Sequence, residues 1–345
     1  MNSLKIGTSK IGDANPVFII AEIGGNFSTY EQGKKLINSA ISCGVNAVKI
    51  QTFKAENYIS KFATFTMPNV GGKRKQLEII KKLELDYKIQ KKLFQYCKKK
   101  KIIFFSTPSH KTDVDFLEEI NNEIYKIGSD DLTNLPLMKY VAKLQKPTII
   151  STGMSNFEEV NDVVKIFRRE KNEQLAILHC VSMYPHDPKY ANLSTIQMMK
   201  KKLNLPIGWS DHTLGIETSV AAATMGANIV EKHFTLNKKA KGPDHALSAD
   251  PSELSKMIQN IRMVEKAKGN GIKSPASCEL MNRKNVRKSI VSLKDIKKGT
   301  KITRNILEIK RPGNGISPNM IKEIIGKKAK KRIKMDMPIK FTDLE

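Results

Sequence analysis

The sequence contains few cysteines and no long apolar run. Its four cysteines, Cys43, Cys97, Cys180 and Cys278, lie far apart and form no C-x-x-C pair. This spacing argues against a disulfide framework and a zinc knuckle, so we expect reduced cysteines that serve as packing residues. No stretch approaches the ~18 uninterrupted apolar residues of a membrane span, and the first residues lack the apolar run of a signal peptide. The sequence therefore predicts a cytoplasmic protein without a membrane partner.

Acidic residues are also scarce, since 34 Asp and Glu stand against 60 Lys and Arg and give a net charge of +26. Such a charge suits nucleic acid, a membrane surface or small anionic substrates. The excess is mostly lysine scattered along helical stretches, without the interleaved aromatic residues of single-stranded nucleic-acid platforms. We therefore expect a solvated lysine-rich surface and no nucleic-acid partner. A basic nucleic-acid-binding protein is the alternative from another functional class.

Short β-branched or apolar runs recur along the first 240 residues, each followed by a segment with helical spacing. This alternation is typical of βα units and a parallel sheet, and eight runs match a closed (β/α)₈ barrel rather than a doubly wound sheet. The runs cover residues 17–24, 46–52, 102–108, 123–129, 147–153, 175–185, 205–212 and 227–235. The clearest helical segments cover residues 31–42, 86–98, 112–120, 156–167, 216–226 and 251–267.

The composition changes near Lys273, and from there 20 Lys and Arg face 7 Asp and Glu, a net +13 and thus half of the total. We therefore predict a barrel domain over residues 1–272, a linker over 273–285 and a small β-clip domain over 286–345. Within the last domain, residues 318–333 are expected to form a final helix with its tail. Residues 53–85 are too long for an ordinary connection and predict an active-site loop over the barrel mouth.

Polar residues end nearly every predicted strand, on the face where (β/α)₈ barrels place their catalytic groups. Hydroxyl groups donate hydrogen bonds directionally and ammonium groups supply point charge, so together they suit a small phosphorylated anion. These strand-end residues include Glu22, Lys49, Gln51, Ser106, Thr107, Lys126, Ser129, Ser151, Thr152, Ser182, Tyr184, Ser210, Asp211, His212, Glu231, Lys232 and His233.

Two of the six histidines, His212 and His233, end adjacent predicted strands. Their imidazoles could therefore share one divalent metal ion. With so few protein ligands the ion would keep open coordination positions, which suits a Lewis acid that polarises a substrate carbonyl.

The ordered motifs AEIGGN, VKIQTF, STP, YKIGS, STGM, YP, SDHT, EKHFT and GPDH resemble those of the sialic acid synthase family, which includes N-acetylneuraminate, legionaminate and pseudaminate synthases. The C-terminal RKSIV, DIKKG and KRPGNGI resemble the antifreeze-like (SAF) domain of that family. The resemblance covers almost the whole chain. It implies a condensation of phosphoenolpyruvate with an N-acylated amino sugar, either N-acetylmannosamine or a relative, to give a sialic-acid-type product and phosphate.

The resemblance also implies a role for individual residues. It places a manganese-type ion, with Mg²⁺ or Co²⁺ as alternatives, on His212 and His233, and gives catalytic roles to Glu22, Lys49 and Asp244. Arg311 would reach the N-acyl group from a partner subunit, in a homodimer whose C-terminal domains cap each other's barrels. Phosphoenolpyruvate would be bound by Lys49, Thr107, Lys126, Ser129, Ser151 and Ser210, and the sugar by Gln51, Tyr184, Asp244 and Arg311.

Two positions depart from the family pattern. Phe27 stands in the place of the histidine of an N-H-x-G motif, and Ser182 stands where sialic acid synthases often have asparagine. The sugar therefore stays open between N-acetylmannosamine, its 6-phosphate and the 2,4-diacetamido precursor of legionaminic acid, towards which TFKAENYIS and LELDYK point. A metal-dependent aldolase that uses free pyruvate is a further alternative on the same barrel.

Overall fold

The computed structural model describes residues 3–66 and 73–345. Two compact units divide the chain, Met1–Gly269 and Asn270–Glu345. The first unit contains eight parallel strands that close into a barrel in chain order, which confirms the predicted (β/α)₈ fold. The barrel strands are β1 Phe18–Glu22, β2 Ala47–Thr52, β3 Ile103–Pro108, β4 Tyr125–Ile127, β5 Thr148–Ser151, β6 Leu175–Cys180, β7 Ile207–Asp211 and β8 Ile229–His233.

Eight main helices surround the barrel, and six of them overlap the predicted segments. The other two, α4 and α6, follow the fourth and sixth strands. Thr29, Asn156 and Asp250 begin three of the helices with capping boxes, in which the cap side chain and a glutamine or glutamate three residues later satisfy backbone N–H groups. The helices are α1 Tyr30–Cys43, α2 Tyr87–Lys100, α3 Lys111–Glu119, α4 Leu135–Lys143, α5 Phe157–Arg169, α6 Ser194–Leu203, α7 Glu217–Thr224 and α8 Pro251–Lys268.

An apolar core fills the end of the barrel at which the strands begin. A hairpin of two short strands, Leu4–Ile6 and Ser9–Ile11, precedes β1. Its side chains pack with inward-facing residues of the barrel strands, including Phe18, Phe105 and Ile229. The polar strand ends are therefore the end of the barrel at which a ligand can enter.

The long connection between β2 and α2 has structure of its own. It contains the helices Ala55–Tyr58 and Gln76–Lys81 and an antiparallel hairpin of Thr64–Thr66 with Lys73–Lys75. Residues 67–72, within the predicted active-site loop, lie outside the described residues.

The C-terminal unit has a small apolar core of its own, which includes Ile290, Ile302 and Ile339. Strands β9 Ser289–Ser292 and β10 Leu307–Lys310 pair antiparallel, and a helix, Leu280–Val286, precedes them. The expected long final helix is wrong, since only Ile321–Ile324 is α-helical. Gly326 adopts a φ of +91°, and the lysine-rich residues that follow form β-bridges, so tertiary pairing overrides their helix propensity.

No helix among the described residues is both long and apolar enough to cross a membrane. All four cysteines are free thiols. Cys97 and Cys180 are buried and Cys43 is partly buried, as expected for packing residues, whereas Cys278 is exposed.

Candidate active site

One cavity of about 690 Å³ opens among the strand ends of the barrel. Successive residues of a strand point alternately inward and outward, so only every second strand-end residue can face this cavity. Eleven of the thirteen predicted site residues line it: Lys49, Gln51, Thr107, Lys126, Ser129, Ser151, Tyr184, Ser210, His212, His233 and Asp244. Of the other two, Glu22 lies within the barrel and Arg311 is an exposed residue of the C-terminal unit.

Two buried lysines, Lys49 and Lys126, lie in the interior of the cavity together with the hydroxyl groups that they contact. We call this group of residues the lysine floor. Lys49 is 4% exposed and Lys126 is 3% exposed. The Nζ of Lys49 donates to Oγ1 of Thr107 at 3.0 Å, and the Nζ of Lys126 donates to Oγ of Ser151 at 2.5 Å. Buried ammonium groups are costly unless paired, so this arrangement requires carboxylates close by.

Glu22 supplies one of these carboxylates. It is fully buried, forms an ion pair with Lys49, which faces it across β1 and β2, and accepts a hydrogen bond from the N–H of Gly24. Burial raises the pKa of the Glu22 carboxyl, and the charge of Glu231 acts in the same direction against the opposing effect of Lys49. Glu22 itself does not line the cavity, whereas its ion-pair partner Lys49 does.

Glu231 is the site residue to which sequence reasoning gave no role. Its Oε1 lies 3.7 Å from the Nζ of Lys49 and 3.7 Å from the Nζ of Lys126, and it accepts from Oγ of Ser210 at 3.1 Å. Burial tends to raise the pKa of Glu231, but the two lysines outweigh it and hold that pKa below its usual value. Its Oε2 is buried without a hydrogen-bond partner. Glu231 lies two residues before His233 on β8, and that spacing was the available signal that it faces inward.

The two histidine rings lie 5.5 Å apart, centroid to centroid. The Nδ1 of His212 lies 2.8 Å from the carbonyl oxygen of Val181, so it donates there as the N–H tautomer and leaves Nε2 as an acceptor. Burial lowers the pKa of His212 to about 4 and that of His233 well below its usual value. Both rings are therefore neutral at pH 7, the form that binds metal ions.

A metal ion is compatible with these donors but would have few protein ligands. The Nδ1 of His233 is buried without a hydrogen-bond partner and lies 3.7 Å from Oδ2 of Asp244. Within residues 3–66 and 73–345 no group of three or more His, Cys, Asp or Glu side chains is arranged around a common metal position. An ion on the two imidazoles would therefore keep coordination positions for substrate oxygens or water.

Asp244 and Tyr184 lie beside the histidines. The Tyr184 ring is half-exposed and lies 4.0 Å from the His212 ring, centroid to centroid. The Asp244 carboxylate lies so close to Gly25, which has a φ of +76°, that a Cβ there would come within 2.9 Å of it. Burial, followed by the negative charge of Glu22, raises the pKa of Asp244 to about 7.

The two departures from the family pattern have different surroundings. Phe27 packs on α1, where its ring occupies the space that a side chain at Gly33 would need. Ser182 lines the cavity, and its Oγ is buried without a hydrogen-bond partner. Phe27 is therefore a packing residue at this position, whereas Ser182 offers a free hydroxyl to a ligand.

Besides Glu22, four polar strand-end residues do not line the cavity, namely Ser106, Thr152, Asp211 and Lys232. Lys232 and Asp211 form a fully buried ion pair at 3.0 Å, and Asp211 also accepts hydrogen bonds from Thr213, Thr218 and Ser219. Since these threonines and this serine lie just before or within α7, the pair attaches that helix to the barrel rather than serving the site.

The chain matches known proteins along almost its full length. The model of the NeuB family matches residues 36–273, and the model of the SAF domain matches residues 287–345. The N,N'-diacetyllegionaminic acid synthase of Campylobacter jejuni is 43% identical over 92% of this chain and 97% of its own length. The N,N'-diacetyllegionaminic acid synthase of Legionella pneumophila is 38% identical over 93% of this chain and 92% of its own length.

A solved structure has the same architecture. The N-acetylneuraminic acid synthetase of Leptospira borgpetersenii superposes with a TM-score of 0.74 at 35% identity, over 81% of this chain and 95% of that protein. The comparisons confirm the resemblance inferred from the motifs, including the C-terminal SAF domain.

Proposed function

Since the chain belongs to the NeuB family of nonulosonic acid synthases, we propose that it condenses phosphoenolpyruvate with an N-acylated amino sugar and releases phosphate. The observation that supports the choice of phosphoenolpyruvate is the lysine floor. Lys49 and Lys126 are buried at the closed end of the cavity beside the hydroxyls of Thr107, Ser151 and Ser210. A small anion with several oxygens, such as a phosphate ester with a carboxylate, satisfies such a set of donors.

The reaction forms one carbon–carbon bond and breaks the bond between C2 and the phosphate-bearing oxygen. C3 of phosphoenolpyruvate adds to the aldehyde carbon of the open-chain sugar, and a water oxygen adds to C2. The tetrahedral adduct then expels phosphate and leaves a 2-keto acid. Of the two protons of the added water, one ends on the new hydroxyl and the other leaves with phosphate. Lys49 and Lys126 hold the phosphate and carboxylate in place throughout.

Glu22 is our candidate for the proton transfer. Burial raises the pKa of its carboxyl, and its ion pair with Lys49 places it beside the lysine floor, which suits a group that exchanges a proton with the site. His212 and His233 would hold the divalent ion, Mn²⁺ in our proposal, which when bound supplies a Lewis acid for the aldehyde oxygen. Gln51, Tyr184 and Asp244, which also line the cavity, would orient the sugar.

The diacetamido precursor of legionaminic acid is the second candidate for the sugar, besides N-acetylmannosamine. The identities of 43% and 38% to two legionaminic acid synthases favour it. Apolar side chains of the long β2–α2 connection, Phe53, Ile80 and Leu83, also line the cavity. An apolar wall of this kind suits the methyl groups of a deoxy sugar with two acetamido substituents.

We also propose a homodimer in which Arg311 of the partner subunit contacts the sugar. Several large apolar side chains on the connections that follow the barrel strands are exposed, namely Phe62, Met154, Met183, Leu214 and Leu236. Exposed apolar side chains around a cavity are typical of a surface that another chain covers. The cytoplasmic location remains a prediction.

The proposal is tested by incubating the protein with phosphoenolpyruvate, Mn²⁺ and each candidate sugar. We expect phosphate release together with a 3-deoxy-2-keto acid, and Lys126→Met should abolish both. Free pyruvate in place of phosphoenolpyruvate should give no product, whereas an aldolase would use it. Absence of phosphate release with every sugar would refute the proposal, and tight, salt-dependent binding of nucleic acid would then support the alternative class.

A further inference from the structure

The cavity has two chemically different ends. At the lysine floor, Lys49 and Lys126 supply buried positive charge. At its mouth, the lining comes largely from the β2–α2 connection and from the turn after β4, with Phe53, Tyr58 and Asp130 among its members. Tyr58 reflects this environment, since burial and then the charges of Asp130 and Asp131 raise its pKa. Among these mouth residues the lining combines apolar side chains with the carboxylate of Asp130, although the whole chain is strongly basic.

Asp130 is the exposed carboxylate of this mouth. It lies in the 3₁₀ turn Ser129–Asp131, directly after β4 and beside the Ser129 predicted to bind phosphoenolpyruvate. Its side chain folds back over Gly128, so closely that a Cβ at Gly128 would overlap Oδ1. The carboxylate therefore lies against the turn and lines the cavity, while the residue as a whole stays exposed.

The places that the two substrates occupy in the cavity determine which part of the sugar lies near Asp130. Phosphoenolpyruvate occupies the lysine floor in the proposed function, so the sugar aldehyde must approach it from the mouth. The opposite end of the sugar, which bears C6, then lies among Phe53, Tyr58 and Asp130. A phosphate at C6 would bring two like charges together there, and like-charge contacts in a binding site strongly disfavour a ligand.

We propose that Asp130 is a specificity-determining residue that restricts the second substrate to an unphosphorylated amino sugar. This inference rests on the proposed function and adds to it the charge of the sugar. In the part of the chain that the structure describes, the side chain of Asp130 accepts no hydrogen bond. The substitution Asp130→Asn therefore removes no hydrogen bond, and we expect the variant to fold.

The test compares kcat/KM for an amino sugar and for its 6-phosphate in the wild type, Asp130→Asn and Asp130→Lys. The wild type should prefer the unphosphorylated sugar by about tenfold or more. Asp130→Asn should narrow this ratio about tenfold, and Asp130→Lys should reverse it. Asp162→Asn is the matched control, because it removes the same charge from the outer helix α5 and should leave the ratio unchanged. If a variant lost turnover, calorimetric affinities for the two sugars would give the same comparison.

Two outcomes overturn the inference. One is a wild type that uses the 6-phosphate at least as well as the free sugar, and the other is a ratio in Asp130→Asn equal to that of Asp162→Asn. In both cases phosphate release from phosphoenolpyruvate would still be observed, so the proposed function would stand. No phosphate release with either sugar would overturn this inference, and no phosphate release with any of the candidate sugars would refute the proposed function as well.

Discussion

Replacing Glu231 by glutamine keeps the shape of the side chain and removes the charge between the two lysines of the floor. Each ammonium lies 3.7 Å from Oε1, and at an effective dielectric constant of about 20 each attraction is worth about 4 to 5 kcal/mol before desolvation is counted. Lys49 retains Glu22, whereas Lys126 loses its carboxylate partner. Breaking a buried pair in this way costs about 3 to 5 kcal/mol.

At about 2.1 cal/mol/K per residue, this loss lowers Tm of the barrel unit, Met1–Gly269, by about 5 to 9 °C. Glu31→Gln is the matched control, because it breaks a pair with Lys34 of the same 3.7 Å length on the exposed surface of α1 and should cost under about 1 kcal/mol. Thermal and urea unfolding measure both variants. Phosphoenolpyruvate should restore more stability to Glu231→Gln than to the wild type, because its anionic groups replace the missing charge. Equal Tm values for the two variants would refute the reasoning.

Three further predictions concern other parts of the site. His212→Ala or His233→Ala should abolish turnover and weaken Mn²⁺ binding in calorimetry while the circular dichroism spectrum stays that of the wild type, and full activity in either variant would exclude metal ligation. Asp244 has a pKa of about 7 in the folded state and of about 3.9 in the unfolded state. Its contribution to the stability of the metal-free protein is therefore lost as the pH rises from 4 to 7. In urea unfolding, the free energy of unfolding of Asp244→Asn relative to that of the wild type should therefore increase by up to about 4 kcal/mol from pH 4 to pH 8. A difference between the two proteins that does not change with pH would contradict this. Arg311→Ala should mainly raise KM for the sugar, because a contact to a non-reacting group contributes to binding in the ground and transition states alike. An unchanged KM, or activity of a monomer cut at Ser274, would argue against the capping partner.

The fold was largely readable because the strands of a (β/α)₈ barrel are buried on both faces. Their sequences are short apolar runs that recur at regular intervals, and each of the eight overlaps a strand of the closed barrel. Two helices, α4 and α6, were not singled out, and their length does not explain it, since α3 and α7 are no longer and were predicted. The expected final helix failed because lysine-rich residues have high helix propensity wherever tertiary pairing does not overrule it.

The candidate site was readable residue by residue but not as an arrangement. The motif EKHF ends β8 with three polar residues in a row, yet Glu231 and His233 face the cavity while Lys232 pairs with Asp211 behind the barrel wall. Which of them faces inward depends on strand register, because a shift of one residue turns every side chain to the other face. The position of the Asp130 carboxylate in the cavity lining also depends on tertiary structure, because the side chain folds back over Gly128 in the turn after β4.

The local pattern of the sequence by itself determined the eight strands, the polar character of their ends, and the family with its SAF domain. These properties follow from periodicity, burial and motif order along the chain, which need no distant contact to be visible. Only the tertiary structure decided that Glu231 lies beside both lysines, that Glu22 pairs with Lys49, and that the two histidine rings come within 5.5 Å. Closure of the barrel brings residues more than 200 positions apart into one layer, such as Glu22 and His233, and their distances depend on register and tilt that no local segment encodes.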